Sequence, residues 1–104
     1  NNRNMRYGMA VVSGLSMIPT LAPGERLLIR HDGPMVLGDL VIFKRVNQYE
    51  IKRIIRIEAD GIFAQGDNDL VSTDSRSYGL IPFDDVLGTV TYRLWPKPGR
   101  IKQV

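Results

Sequence analysis

Short apolar runs broken at close intervals by glycine, proline and charged residues fill this chain, and no stretch sustains the 3.6-residue period of a helix. The runs predict strands at residues 9–12 (MAVV), 26–30 (RLLIR), 40–44 (LVIFK), 49–58, 62–65 and 86–94. Turn chemistry separates them: Pro23-Gly24, Asp32-Gly33-Pro34, Gly38-Asp39, and Asp60-Gly61 as a hairpin. Residues 66–79 form a polar loop of fourteen residues, long enough for so short a chain to suggest a working loop. Regular structure is expected to end at Trp95-Pro96-Lys97-Pro98-Gly99, with residues 1–7 and 97–104 peripheral. The predicted fold is all-β, a twisted, partly closed barrel of short strands with minimal helix, in a single domain spanning residues 1–104.

Composition narrows the function classes. Hydrophobic residues make up 43% of 104, enough for a small core. The net charge of +3 comes from mixed signs without a polybasic patch, so no nucleic-acid partner is expected. The absence of cysteine excludes disulfides, thiolate metal sites and a cysteine nucleophile. No metal or cofactor is expected. No run approaches the roughly 20 apolar residues of a membrane helix, and no signal-peptide pattern is visible. The chain opens on Asn1 rather than Met, which leaves room for an upstream anchor and, with it, membrane contact.

The stretch Ser13–Leu21, SGLSMIPTL, raises the question of chemistry. A serine beside glycine and proline is ordinarily a turn residue. A nucleophilic serine needs a base within hydrogen-bond reach and donors for an oxyanion. His31 with Asp32 is the first candidate, but Asp32-Gly33-Pro34 marks a surface turn where a lone histidine is expected to be solvated. Lysine is the second candidate base, and it must be desolvated to be neutral. Lys52, in YEIKRIIRI, has the most apolar neighbours; Lys44 is second, and Lys97 and Lys102 sit in a polar tail. Alternation opposes Lys52, since positions 50, 52, 54 and 56 read Glu-Lys-Ile-Arg, the more polar face.

Four segments then occur in a telling order: SGLSMIPTL, GDLVIF (38–43), KRIIRI (52–57) and GDNDLVSTDSRSYGLIP (66–82). Together they resemble the motif boxes of type I signal peptidases, the Ser/Lys-dyad serine proteases of the S26 class, over residues 11–90. Ser-Met-x-Pro alone is shared with LexA-like self-cleaving repressors. The resemblance implies Ser16 as nucleophile, Lys52 as general base and Ser72 as the hydroxyl that orients the lysine. It implies Ser16 N–H as oxyanion donor, and Met17, Pro19, Gly66, Asp67, Asn68, Asp74 and Arg76 as structural support. The partner it implies is a protein substrate bearing an N-terminal leader, with small residues before the cut.

The chain departs from the family pattern in places. Gly14 stands where some members carry a serine as second oxyanion donor, and Asp69 where an arginine often follows Gly-Asp-Asn. Residues 57–61 (IEADG) replace the usual Gly-x-Pro-Gly-Asp, and the large accessory insertion is missing. The segments YGMAVVSGLSMIPTL and YRLWPKPGRI resemble the small proteases that mature nickel-type superoxide dismutase. That subgroup implies a cytoplasmic enzyme; a signal peptidase core implies a membrane anchor with an extracytoplasmic catalytic domain. Two rival functions are a LexA-like self-cleaving regulator and a non-enzymatic β-barrel binding module. The binding module would not need Ser16, Lys52 and Ser72 to converge.

Overall fold

A computed structural model describes residues 6–71 and 73–103. The strands are β1 (Tyr7–Val11), β2 (Arg26–Arg30), β3 (Leu40–Arg45), β4 (Gln48–Glu58), β5 (Gly61–Gln65), β6 (Val86–Trp95) and β7 (Gly99–Arg100). A one-turn helix, α1 (Ser75–Tyr78), and a 3-10 turn at Phe83–Asp85 separate β5 from β6. No helix among the described residues is long and apolar enough to cross a membrane.

The strands form one antiparallel sheet in the order β1-β2-β6-β3-β4-β5, with β7 added to β6. Its ends, β1 and β5, do not pair, so the expected partly closed barrel is corrected to an open sheet. The outer edge of β5 is already occupied. Ile62 and Ile81 exchange backbone hydrogen bonds of 2.9 and 2.8 Å there, which leaves no ladder for β1 to close. Gly61 permits that approach, since a Cβ there would lie 2.3 Å from the Ile81 carbonyl oxygen.

The sheet buries both faces of β3, whose LVIF run is apolar without alternation. Leu40 and Ile42 join Val12, Met17, Leu21, Leu27, Ile29, Val90 and Ile101 on one face. Val41 and Phe43 join Ile54, Ile62, Ala64 and Ile81 on the other. Successive side chains on a strand point opposite ways, so β3 supplies both cores at once.

Two expectations change at the chain's margins. Regular structure does not end at Trp95: the chain turns back, β7 pairs with Tyr92 and Arg93, and Ile101 N donates to Thr91 O at 2.9 Å. Ile101 is 6% exposed within the first core, so residues 97–104 are not merely peripheral, as far as they are described. Tyr7, expected among the peripheral residues, opens β1. His31 is not a free surface residue either. Its ring is half-buried over Gly8, with Nδ1 3.1 Å from Leu87 O.

Candidate active site

Ser16 sits in a turn between β1 and β2 that is pinned from below. Met17 and Leu21 are buried in the first core, and Leu21 N donates to Met17 O at 2.9 Å. Gly14 turns the chain at φ +79°, a left-handed conformation that a side chain would strain. Ile18 N closes on Leu15 O at 3.2 Å, and Pro19 follows in a cis peptide. The anchored methionine and leucine leave Ser16 half-buried at the surface.

Lys52 comes from the middle of β4. Its cross-strand partner is Val41, and its neighbours on that face are Glu50, opposite Phe43, and Ile54. Alternation marks this face as polar. The structure buries Lys52 to 4% exposure because the second core and α1 cover the face, and because a bulge between Ile54 and Arg56 breaks the period and turns Arg56 away. The Lys52 Nζ lies 2.8 Å from Ser16 Oγ. Burial pushes the amine's proton affinity below the ordinary lysine value. Glu50 and Asp74 pull the other way, and Arg45 adds to the lowering.

The 66–79 loop locks the serine turn to this strand. Asn68 N donates to Ser16 O and Asn68 Nδ2 to Leu15 O, each at 2.9 Å. Thr20 Oγ1 donates to Asp67. Asp67 in turn receives Arg53 through Nε at 3.2 Å and Nη2 at 2.6 Å. Arg53, next to Lys52 but on the opposite face, also donates 2.7 Å bonds to Gly38 O and Lys102 O. Further along, Asp74 accepts from Gly66 N at 2.9 Å and caps α1 through Arg76 N, while Arg76 Nη2 pairs with it at 2.8 Å. With Leu15 O turned toward Asn68, the Ser16 N–H of the same trans peptide faces the opposite way. It has no acceptor among the described residues.

The residues singled out in the sequence thus gather unevenly. Ser16, Met17, Pro19, Asp67 and Asn68 share the turn and its clamp, and Lys52 touches Ser16 directly. Gly66, Asp74 and Arg76 hold the far half of the loop. Ser72 lies outside the described residues. Sequence pattern did not single out Arg53, whose signal was its place beside Lys52. Nor did it single out Glu50, which stands two residues from Lys52 on one strand face and 4.0 Å from its amine.

Ser16 and Lys52 open onto a cleft of about 780 Å³. One wall is formed by residues 9–17 and the other by residues 48–52, with Ile29, Ile42 and Leu87 among the floor residues. Among the described residues β1 pairs only with β2, on one of its two edges. A half-buried hydroxyl hydrogen-bonded to a desolvated amine, beside an extended cleft, is suited to nucleophilic attack on a peptide carbonyl.

A family model described as signal peptidase, peptidase S26, matches residues 56–95. Among curated proteins, the mitochondrial ATP-independent inner membrane protease subunit 1b of Arabidopsis thaliana is 33% identical, across 85% of this chain and 70% of its own length. The human mitochondrial inner membrane protease subunit 1 is 31% identical, across 86% of this chain and 70% of its own. Signal peptidase I of Bacillus caldolyticus is 29% identical, across 71% and 50%.

Proposed function

The chain belongs to the signal peptidase family S26 and is a serine peptidase, and from that premise we propose that it removes an N-terminal leader from a precursor protein with Ser16 as nucleophile and Lys52 as general base. The observation that carries this reading is the 2.8 Å contact between Lys52 Nζ and Ser16 Oγ, made by an amine that burial disposes to be neutral. In this mechanism the leader lies extended in the cleft as an added strand. Neutral Lys52 takes the Ser16 proton as Oγ attacks the carbonyl, and Ser16 N–H receives the oxyanion. Lys52 then hands its proton to the departing amine, leaving an ester on Ser16. Water attacks the ester, Lys52 takes the water's proton, and Ser16 recovers a proton as the acid leaves. Ser72 serves, on the family resemblance, to orient the amine. Residues 1–104 act as one catalytic domain.

Two substrates remain in competition. The segments around residues 7–21 and 92–101 support a nickel-type superoxide dismutase precursor. The relatives' names, inner membrane protease and signal peptidase, support a preprotein handled at a membrane. Purified enzyme offered both precursors decides between them, since the true substrate is cut at one bond and the other stays whole.

Ser16→Ala and Lys52→Ala each remove a participant in every step, so cleavage falls by about 10³-fold or more with the fold retained. Lys52→Arg fails as completely, because a guanidinium does not give up its proton. Near-full activity in either lysine variant, measured on a quenched peptide with alanine before the cut, excludes the dyad.

A further inference from the structure

Glu50 lies inside the catalytic cleft, and the dyad chemistry gives it no task. Its side chain is 13% exposed, and Oε1 stands 4.0 Å from Lys52 Nζ. A second set of contacts fixes it there. Arg45, from the end of β3, pairs with it at 3.2 Å, and Tyr78 of α1 donates its hydroxyl to Oε1 at 3.3 Å. The Arg45 guanidinium lies over the Tyr78 ring, 4.0 Å from its centroid. Burial pushes the Tyr78 phenol up, so it stays a neutral donor. A carboxylate held from two other elements and aimed at the proposed catalytic amine is a costly arrangement unless the charge is used.

We propose that Glu50 is a positioning residue that holds the Lys52 amine basic enough to take the serine proton, with Arg45 as the counterweight that keeps it from locking the proton on. The proposal rests on the Ser16–Lys52 dyad and deepens it.

The physics of the two charges is opposed and simple. Desolvation makes Lys52 easy to deprotonate, but a base that holds protons too weakly takes them poorly from a hydroxyl. A negative charge at 4.0 Å favours the charged amine and restores basicity. Left unopposed, it would keep Lys52 charged and idle at neutral pH. Arg45 withdraws part of that field through its ion pair, and its own charge disfavours a second cation nearby. Among the described residues, the other groups facing the amine are Ser16 from the nucleophile turn and Asp74 from the loop before α1. Asp74 accepts from Gly66 N and pairs with Arg76, which opposes its charge. Glu50 and Arg45 are therefore the adjustable pair.

The test follows the Lys52 amine itself, with no substrate required. The εCH₂ resonance of Lys52, assigned by its loss in Lys52→Ala, is titrated by NMR in the parent enzyme, Glu50→Gln and Arg45→Met. The midpoint is expected to fall by about one pH unit in Glu50→Gln and to rise by about one in Arg45→Met. The acid limb of kcat/KM on the alanine-bearing peptide moves with each midpoint, and the plateau rate of Glu50→Gln drops several-fold. Unmoved midpoints overturn the proposal, and so do shifts of the same sign in both variants, which would report a general loosening. If one variant does not fold, the sign of the other's shift decides. The dyad is judged separately, by whether Lys52→Ala still cleaves; an inactive Lys52→Ala with unmoved midpoints sinks the Glu50 proposal alone.

Discussion

Lys52 puts two demands on one side chain. In the proposed mechanism it is buried so as to lose its proton readily, and burial of a charge weakens the fold. In the unfolded chain the amine is charged up to about its ordinary value of 10.5; in the folded chain burial lowers that value. A depressed folded value in a lysine means that folding releases a proton, so the residue costs stability below the folded value. The cost shrinks as pH rises from there toward 10.5. Lys52→Met is therefore expected to be more stable than the parent at pH 7, with the gap narrowing as pH climbs through that window. Thermal melts of the two proteins across pH check this, and parallel curves at every pH would mean that the amine's ionisation contributes nothing. The same residue shows the limit of periodicity. Lys52 lies on the face that alternation assigns to solvent, and the second core, with Tyr78 of α1 packed against it, and the bulge after Ile54 make that face interior.

At the scale of elements, the proposed active site is a turn held by a loop held by a strand. Asn68 binds the carbonyls of Leu15 and Ser16, and Asp67 ties Thr20 to Arg53 of β4, so the proposed nucleophile is registered against its proposed base through residues that do not line the cleft. Asn68→Ala removes the side-chain bond to Leu15 O and the one to Leu70 N. Asn68 is partly exposed, so the stability loss is about 1 kcal/mol, but a misplaced serine costs about 10²-fold in kcat. Steady-state kinetics beside a melt check the split; an equal loss in both would mean that the clamp serves folding rather than alignment. Most strands were legible because apolar runs end at Gly, Pro and Asp turns: β2 matches its expected range, and β3, β4 and β6 extend theirs by a residue. The elements missed were α1, the 3-10 turn and β7, of four, three and two residues, too short to carry a period. The pairing of Ser16 with Lys52 was not legible from pattern at all. It depends on a contact 36 residues apart that four motif segments suggested together.

Across the whole molecule, stability and catalysis draw on the same closing segment. The open sheet shares one strand, β3, between two cores, and the chain after β6 folds back to complete the first. Ile101 fills that core beside the chain that carries the nucleophile turn, and the next carbonyl, Lys102 O, accepts from Arg53 at 2.7 Å. Gln103 Nε2 bonds Asp39 at 2.8 Å before β3 begins. The tail thus braces the arginine that braces Asp67, an arrangement that a proline-rich, polar-looking ending conceals in the sequence. Ile101→Ala removes buried methyl groups and leaves a cavity, a loss of about 2–5 kcal/mol. Its effect should be the mirror of Asn68→Ala. The backbone carbonyl at 102 is still present to hold Arg53, so kcat at 25 °C stays within about two- or threefold of the parent while the urea midpoint falls and the slope of unfolding is unchanged. Urea titration and kinetics on the same preparation distinguish the outcomes. A midpoint like the parent's would place Ile101 outside the cooperative core, and a kcat reduced as far as in Asn68→Ala would mean that the tail aligns the serine directly rather than stabilising the frame around it.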